Sequence, residues 1–155
     1  MRKWVVYLAV FGLLLITDAL GFSGTDVGKL LPVEAVRISS EAGKVLVETD
    51  TGDKGAGADL KEALENLRDT AAGNVFLETA DYLILQFGCE KYLAELCHVL
   101  RPSCGLCLEE KQTDLQKATE FLAVHRLRIT MRDWCGGEEE IPMLVEREGR
   151  VQLVP

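Results

Sequence analysis

The chain has 155 residues, of which 48% are apolar and 27% are charged, and this balance fits one folded domain and excludes a disordered protein. Its formal net charge of −8 argues against nucleic acid as a partner, because binding phosphates requires a clustered Lys and Arg surface. The same acidity argues against a polybasic protein that lies on membrane surfaces.

Residues 1–21 have the layout of a secretory signal. Two cations, Arg2 and Lys3, precede an uncharged apolar run over residues 4–16, and small residues follow where a signal peptidase would cut. The run is shorter than the roughly 20 residues that span a bilayer, which favours cleavage over retention as an anchor. We predict an exported chain with a signal peptide or uncleaved anchor at 1–21 and one globular domain at 22–155. The chain would then contact the membrane only through an uncleaved segment.

The globular part opens with a predicted β-hairpin. Residues 31–38 and 44–50 are rich in β-branched and apolar side chains, and the turn residues 39–43 between them end in a glycine. The glycine-rich residues 51–58 are predicted to form a loop. A phosphate-binding role for this loop is disfavoured, because it lacks the order of a phosphate loop and Asp59 would repel a phosphate.

A helix is predicted to start at Asp59, with Glu62 three residues later as its capping-box partner. Leu60, Leu64 and Leu67 recur at helical spacing, which gives this helix one apolar face. We expect that face to pack against the sheet.

Short strands and helices continue the chain. The apolar run at 82–87 ends in a glycine and predicts a buried strand, whereas residues 74–80 are ambiguous. The leucines and the cysteine of residues 90–100 form one helical stripe, and residues 105–108 predict another short strand.

The last part of the chain contains a third predicted helix and a hairpin. Thr113 and Gln116 form a second capping box ahead of that helix, residues 127–134 fit a helix or a strand, and residues 141–154 predict a closing hairpin. Strands that alternate with helices indicate an α/β fold, with a mixed sheet and helices packed on it in a single layered domain.

The order of these elements resembles the N-terminal domain of the Ger(x)C spore germination proteins, the C subunits of nutrient germinant receptors in endospore-forming bacteria. Five segments carry the likeness, namely Leu31–Val36, Gly57–Leu67, Phe76–Leu77, Leu83–Gly88 and Glu140–Leu144. It covers about residues 27–148 and is to a short, stand-alone version of that domain. Family members normally carry an anchoring cysteine directly after the signal, and residues 20–24 contain none.

The resemblance implies a non-enzymatic component of the spore germination apparatus or spore envelope. Its expected partners are the membrane-spanning germinant receptor subunits or other envelope proteins. Its expected location is the extracytoplasmic face of the membrane or the spore envelope. A scaffold protein with no germination role is an alternative function.

Cys104 and Cys107 form a CxxC motif, the one local pattern whose residues could take part in a reaction. A helix N-terminus would lower the pKa of the first thiol in such a motif, but Glu109 and Glu110 follow and disfavour a thiolate. We therefore expect a disulfide or plain thiols here. A small exported thiol–disulfide oxidoreductase that uses this pair is the enzymatic alternative.

A zinc site is disfavoured although cysteine and histidine are present. Zinc knuckles use two close pairs of ligands, and Cys89, Cys97 and His98 do not supply the second pair that the CxxC would need. His98 and His125 have no nucleophile pattern beside them. The sequence thus predicts no catalytic residue, no metal ligand and no cofactor.

Overall fold

The computed structural model describes residues 30–137 and 140–155, so the segment 1–21, interpreted as a signal or anchor, lies outside the described residues. The strands are β1 Leu30–Pro32, β2 Ala35–Glu41, β3 Lys44–Thr49, β4 Lys54–Gly57, β5 Asn74–Phe76, β6 Tyr82–Gln86, β7 Gly105–Glu109, β8 Met143–Arg147 and β9 Arg150–Val154. The α-helices are α1 Leu60–Thr70, α2 Leu93–Leu96, α3 Leu115–Val124 and α4 Met131–Cys135. Two single 3₁₀ turns, Leu77–Thr79 and Glu90–Tyr92, precede β6 and α2.

Seven strands form one mixed sheet in the order β4-β3-β2-β6-β7-β8-β9. The four central strands β2, β6, β7 and β8 run parallel, and the antiparallel strands β3, β4 and β9 complete the two sides. Strands β1 and β5 pair separately as a small parallel sheet. The predicted α/β fold with a mixed sheet and packed helices is therefore confirmed.

Helices cover both faces of the sheet. Successive residues of a strand point to opposite faces, so each strand contributes side chains to two separate cores. On the first face, Val36 and Leu83 pack with the apolar side chains of α1, α2 and α4. On the second face, Ile84 and Leu144 pack with the apolar side chains of α3. The larger of the two cores lies on the first face.

Helix α1 starts as its sequence predicts. The Asp59 carboxylate accepts from the Glu62 backbone N–H at 2.8 Å, and the Glu62 carboxylate accepts from the backbone N–H of Ala58 at 2.6 Å. Leu60, Leu64 and Leu67 are buried, as expected.

Residues Lys54–Gly57 of the glycine-rich segment form the strand β4, so the predicted loop over residues 51–58 is wrong for these four residues. A Cβ on Gly55 would overlap the backbone of Ala63 and Leu67, and a Cβ on Gly57 would overlap α1 in the same way. These glycines let α1 lie directly on β4, and the sheet acquires its edge strand there.

The first hairpin forms with a tighter turn than predicted. Ser39, Ser40 and Glu41 continue β2 by pairing with β3, and only Ala42 and Gly43 form the turn. Both have positive φ, 49° and 79°, which a two-residue hairpin turn of type I′ requires.

Two helix predictions are corrected. The helix predicted over 90–100 is a 3₁₀ turn followed by the four-residue α2, and three-residue turns continue at His98 and Val99. Helix α3 is capped by Asp114, whose carboxylate accepts from the Lys117 N–H at 3.1 Å. Thr113 does not cap α3, because its backbone and hydroxyl bond to buried side chains of the sheet.

The two ambiguous segments take mixed structures. Residues 74–80 form β5 and a 3₁₀ turn. Residues 127–129 form neither helix nor strand, Thr130 makes an isolated bridge to Gly105, and α4 follows. The closing hairpin forms as β8 and β9. Within the described ranges, every helix is too short or too polar to cross a membrane.

Candidate functional site

The two cysteines of the CxxC motif lie in different cores. Cys104 belongs to the core on the first face and Cys107 to the core on the second face. Both are free, fully buried thiols, so the structure does not bring them together as a disulfide. Burial raises the pKa of Cys104 to about 12, with Arg101 as a weaker opposing influence, and burial also raises the pKa of Cys107. Neither thiol is placed to act as a thiolate nucleophile.

A disulfide joins two other cysteines, Cys97 and Cys135. It ties the residue that follows α2 to the last residue of α4, across 38 residues of sequence. The cysteine of the predicted helical stripe is therefore a disulfide partner as well as part of that stripe. No local sequence pattern points to this bond, because its two cysteines are 38 residues apart.

The remaining zinc candidates are dispersed. Cys89 is buried and burial raises its pKa, whereas His98 is exposed. His125 is exposed as well; its ring stacks on Phe121 at a centroid distance of 4.1 Å, and its Nδ1 lies 3.0 Å from the Phe121 carbonyl oxygen. Among the described residues, no group of three His, Cys, Asp or Glu side chains is arranged to hold a metal ion.

A buried ion pair lies on the second face of the sheet. Nε of Arg37 is 2.6 Å from Oε1 of Glu109, and Nη1 of Arg37 is 3.3 Å from Oε2 of Glu48. The Nε–Oε1 contact is ionic, since neither atom has a hydrogen bond of good geometry. Burial raises the pKa of Glu109 above its ordinary value, although Arg37 and hydrogen bonds from Thr113 oppose that rise.

This ion pair serves the fold. Nη2 of Arg37 donates to the Thr113 carbonyl, and the Glu109 carboxylate accepts from the Thr113 N–H and hydroxyl. Arg37 is 3% exposed and Glu109 0%, so no solute reaches them. The pair fixes the connection between β7 and α3. Sequence patterning missed it because Arg37 and Glu109 are 72 residues apart.

An open cleft lies where two segments of the chain share one side of β7. The N–H of Leu106 donates to the carbonyl of Ile129, whereas the N–H of Leu108 donates to the carbonyl of Pro142. Only Leu108 and Glu109 of β7 pair with β8. The first half of β7 is therefore bordered by residues 129–131, and the cleft opens between that segment and the start of β8.

The cleft has a volume of about 980 Å³ and is mainly apolar. Its lining includes three charged side chains, Arg126, Arg128 and Glu140, and the apolar residues Leu108, Leu127, Ile129, Ile141, Pro142, Leu153, Val154 and Pro155. Apolar walls with a few polar groups are typical of binding sites. The sequence offered one signal, the alternation of Arg and apolar residues over 126–129.

The two edge strands of the sheet differ in whether their outward backbone groups have hydrogen-bond partners. Strand β9 lies beside the cleft, and β4 lies at the other edge. At the β4 edge, the Asn66 side chain donates to the Ala56 carbonyl at 2.7 Å and the Thr70 hydroxyl donates to the Lys54 carbonyl at 3.1 Å. At the β9 edge, no residue in the described ranges donates to or accepts from the outward backbone groups. Strand β9 ends in the cleft, so an open edge and an apolar concavity are continuous.

The chain matches no protein-family model, no curated protein and no solved structure. The assignment of a function therefore rests on the cleft, the open edge and the chemistry of the cysteines.

Proposed function

We propose that this chain is a non-enzymatic, exported protein-interaction domain of the spore germination apparatus or spore envelope. The observation that carries the proposal is the apolar cleft of about 980 Å³ that continues into the open edge of β9. Apolar side chains beside unpaired backbone groups suit a polypeptide segment, because the cleft accepts its side chains and the edge accepts its backbone.

The disulfide between Cys97 and Cys135 supports a location outside the cytoplasm. Disulfides persist in oxidising compartments and are rare in the cytosol, where reducing systems keep thiols reduced. This support is independent of the N-terminal apolar segment, which suggests export by its own pattern.

The thiols support a binding role over an oxidoreductase. A dithiol enzyme needs an accessible thiolate, whereas Cys104 and Cys107 are buried with raised pKa values and point to opposite faces of the sheet. The disulfide that does form links the ends of two helices. Its role is structural.

The partners suggested by the resemblance to Ger(x)C proteins are membrane-spanning germinant receptor subunits or other envelope proteins. A tether at residues 1–21, if uncleaved, would hold the domain beside such partners. The domain would then contribute a binding surface while the partner crosses the membrane.

Export is tested with a fusion. Residues 1–24 are joined to a reporter that is active only outside the cytoplasm, and the control carries Arg2→Glu and Lys3→Glu, which remove the positive charge ahead of the apolar run. We expect activity from the first fusion and a large loss from the second. A reporter that stays inactive in both would contradict export and with it the choice of envelope partners.

The binding role is tested by cross-linking in the organism that makes the chain. A photoreactive residue replaces Arg128 on the cleft wall, and in a matched control it replaces Lys61, which is exposed on α1 at the opposite side of the sheet. We expect a cross-link to an identified membrane-spanning receptor subunit or envelope protein from position 128 alone. Identical cross-link patterns at both positions, or none at position 128, would contradict the proposal.

A further inference from the structure

We propose that the β9 edge binds an extended segment of a partner protein that has acidic residues on both sides of a short β-forming centre. This inference rests on the proposed function of protein interaction and names the kind of partner. It combines three observations, namely the direction of the β9 backbone groups, the asymmetry of the two sheet edges and the distribution of four arginines.

The register of the last hairpin directs particular backbone groups outward. Glu148 and Gly149 form its two-residue turn, with positive φ at both, so the flanking Arg147 and Arg150 form a hydrogen-bonded pair. Hydrogen-bonded pairs then alternate along the ladder. The N–H and C=O groups of Val151 and Leu153 consequently point away from β8, toward the open edge.

The outward backbone groups of the two edge strands differ in their hydrogen bonding. Side chains of α1 occupy the outward carbonyls of β4, which prevents another strand from pairing there. Nothing in the described ranges occupies the equivalent groups of β9. An unpaired edge is a template for strand addition, and within residues 30–137 and 140–155 the β9 edge is of this kind.

Arginines bracket this edge in a chain whose net charge is −8. Arg147 and Arg150 lie at the turn end of β9, and Arg126 and Arg128 lie in the cleft where β9 ends. All four are exposed, and none forms an ion pair with another described residue. Glu148 lies in the turn between Arg147 and Arg150, and Glu140 lines the cleft with Arg126 and Arg128, but within the described ranges neither carboxylate forms an ion pair with these arginines. Both pairs of cations at the ends of the edge can therefore contact a ligand that carries carboxylates at both ends.

The length of the strand sets the spacing of those carboxylates. Five residues of β9 at about 3.3 Å each extend over roughly 13–17 Å, so the acidic groups of the ligand should flank about five residues. Val151 and Leu153 project over the core on the second face, where α3 packs, so apolar side chains of an added strand would find apolar neighbours there.

The probe is a synthetic peptide with the sequence Glu-Glu-Val-Thr-Val-Thr-Val-Glu-Glu, and it is added to the full-length protein in mild detergent. Binding is followed by fluorescence anisotropy, and amide hydrogen exchange is followed residue by residue. We expect the peptide to slow exchange at Val151 and Leu153, because their N–H groups gain partners. The amides of Arg150 and Gln152 already bond to β8 and should change little.

Two peptide controls separate backbone pairing from charge. A peptide with N-methyl groups on alternate central amides cannot complete the ladder, and a peptide with Lys in place of the four Glu reverses the charge. We expect each change to weaken binding at least about tenfold, which corresponds to the loss of about one hydrogen bond or one favourable charge pair.

Matched protein variants give the same separation. Val151→Pro removes one outward N–H without breaking a bond to β8, and Val151→Ala removes the same side chain but keeps the N–H. Arg128→Glu reverses a charge in the cleft, and Arg68→Glu makes the same change on α1, at the far edge. We expect Val151→Pro and Arg128→Glu to weaken binding about tenfold, and their controls to change it less than about threefold.

Several outcomes would overturn the inference. These are peptide binding without protection of Val151 and Leu153, equal affinity for the Lys peptide, and no binding at all. Protection of these amides that rises with protein concentration, without peptide, would assign the edge to a second copy of this chain. If cross-links at position 128 identify an envelope partner while the peptide fails, the proposed function stands and this inference alone is wrong.

Discussion

Arg37 on β2 and Glu109 on β7 form an ion pair over β6, the strand that separates theirs, with Nε and Oε1 2.6 Å apart. Both side chains are buried, and both also bond to Thr113 at the start of α3. The pair therefore joins two strands and a helix on the face that carries the smaller core. Once Glu109 is ionised, removing either charge would leave the other buried without a partner.

Replacing one partner should cost more than replacing both. We expect Arg37→Met to lower the free energy of unfolding by about 3–5 kcal/mol, because the Glu109 charge stays buried and unpaired. The double variant Arg37→Met/Glu109→Leu should recover much of this loss. Denaturant titration of both variants gives the comparison, and Lys54→Met, which removes an exposed contact to Glu48, should cost less than about 1 kcal/mol. Strictly additive losses would show that the two charges do not interact.

The elevated pKa of Glu109 predicts a pH dependence of stability. The folded-state pKa lies above the ordinary value of 4.5, so the native protein holds this proton more tightly than the unfolded chain. The contribution of the group to stability is therefore complete below pH 4.5 and is lost as the pH rises through the folded-state pKa.

The direction of this pH dependence is measured by comparison with a variant that has no titratable group at position 109. The free energy of unfolding of the wild type minus that of Glu109→Gln should decrease as the pH rises from below 4.5 toward neutrality. Unfolding curves at a series of pH values provide the difference. An increase of this difference with pH would mean that Arg37 lowers the pKa more than burial raises it.

The close contact of α1 with β4 predicts that Gly55 tolerates no side chain. In Gly55→Ala the new Cβ would overlap the backbone of Ala63 and Leu67, so α1 must move away from the sheet. We expect a loss of at least about 1–3 kcal/mol in the free energy of unfolding. Ala56→Ser, on the exposed neighbouring residue, is the control and should change it by less than about 0.5 kcal/mol. Equal effects of the two substitutions would contradict the packing of α1 on β4.

The cysteines predict a simple count of reactive thiols. Native protein should react slowly with an alkylating reagent at neutral pH, because the three free thiols are buried and the pKa of Cys104 is about 12. Unfolded protein should expose three thiols without reductant and five with it, since Cys97 and Cys135 are bonded. Mass spectrometry after alkylation gives both counts. Fast reaction at Cys104 at pH 6, abolished by Cys104→Ser, would instead support the oxidoreductase.

The local sequence pattern was sufficient to predict the elements that depend on neighbouring residues. The Asp59 cap and the apolar face of α1 involve residues within one or two helical turns, and the structure confirms both. The reciprocal half of the predicted capping box differs, because the Glu62 carboxylate accepts from the N–H of Ala58 and not from that of Asp59. The apolar run of β6 and the final hairpin were predicted for the same reason. The mixed α/β class followed from the alternation of such elements along the chain.

Tertiary structure decided the elements whose residues are distant in sequence. Glycine composition predicted a loop at 51–58, and the close approach of α1 made residues 54–57 of it the strand β4. Thr113 lost its capping role because Arg37 and Glu109 hold it. A local pattern contains no information about which distant group will approach a residue.

The candidate site belongs to this second category. The CxxC motif suggested that Cys104 and Cys107 act together, but residues three apart on an extended backbone point to opposite faces of a sheet, so they lie in separate cores. Cys97 and Cys135 pair because α2 and α4 lie on the same face. The sequence by itself determined local helices, strands and charge. Which cysteines bond, which edge stays open and where the cleft forms were decided by the order of strands in the sheet, since only that order brings distant residues together.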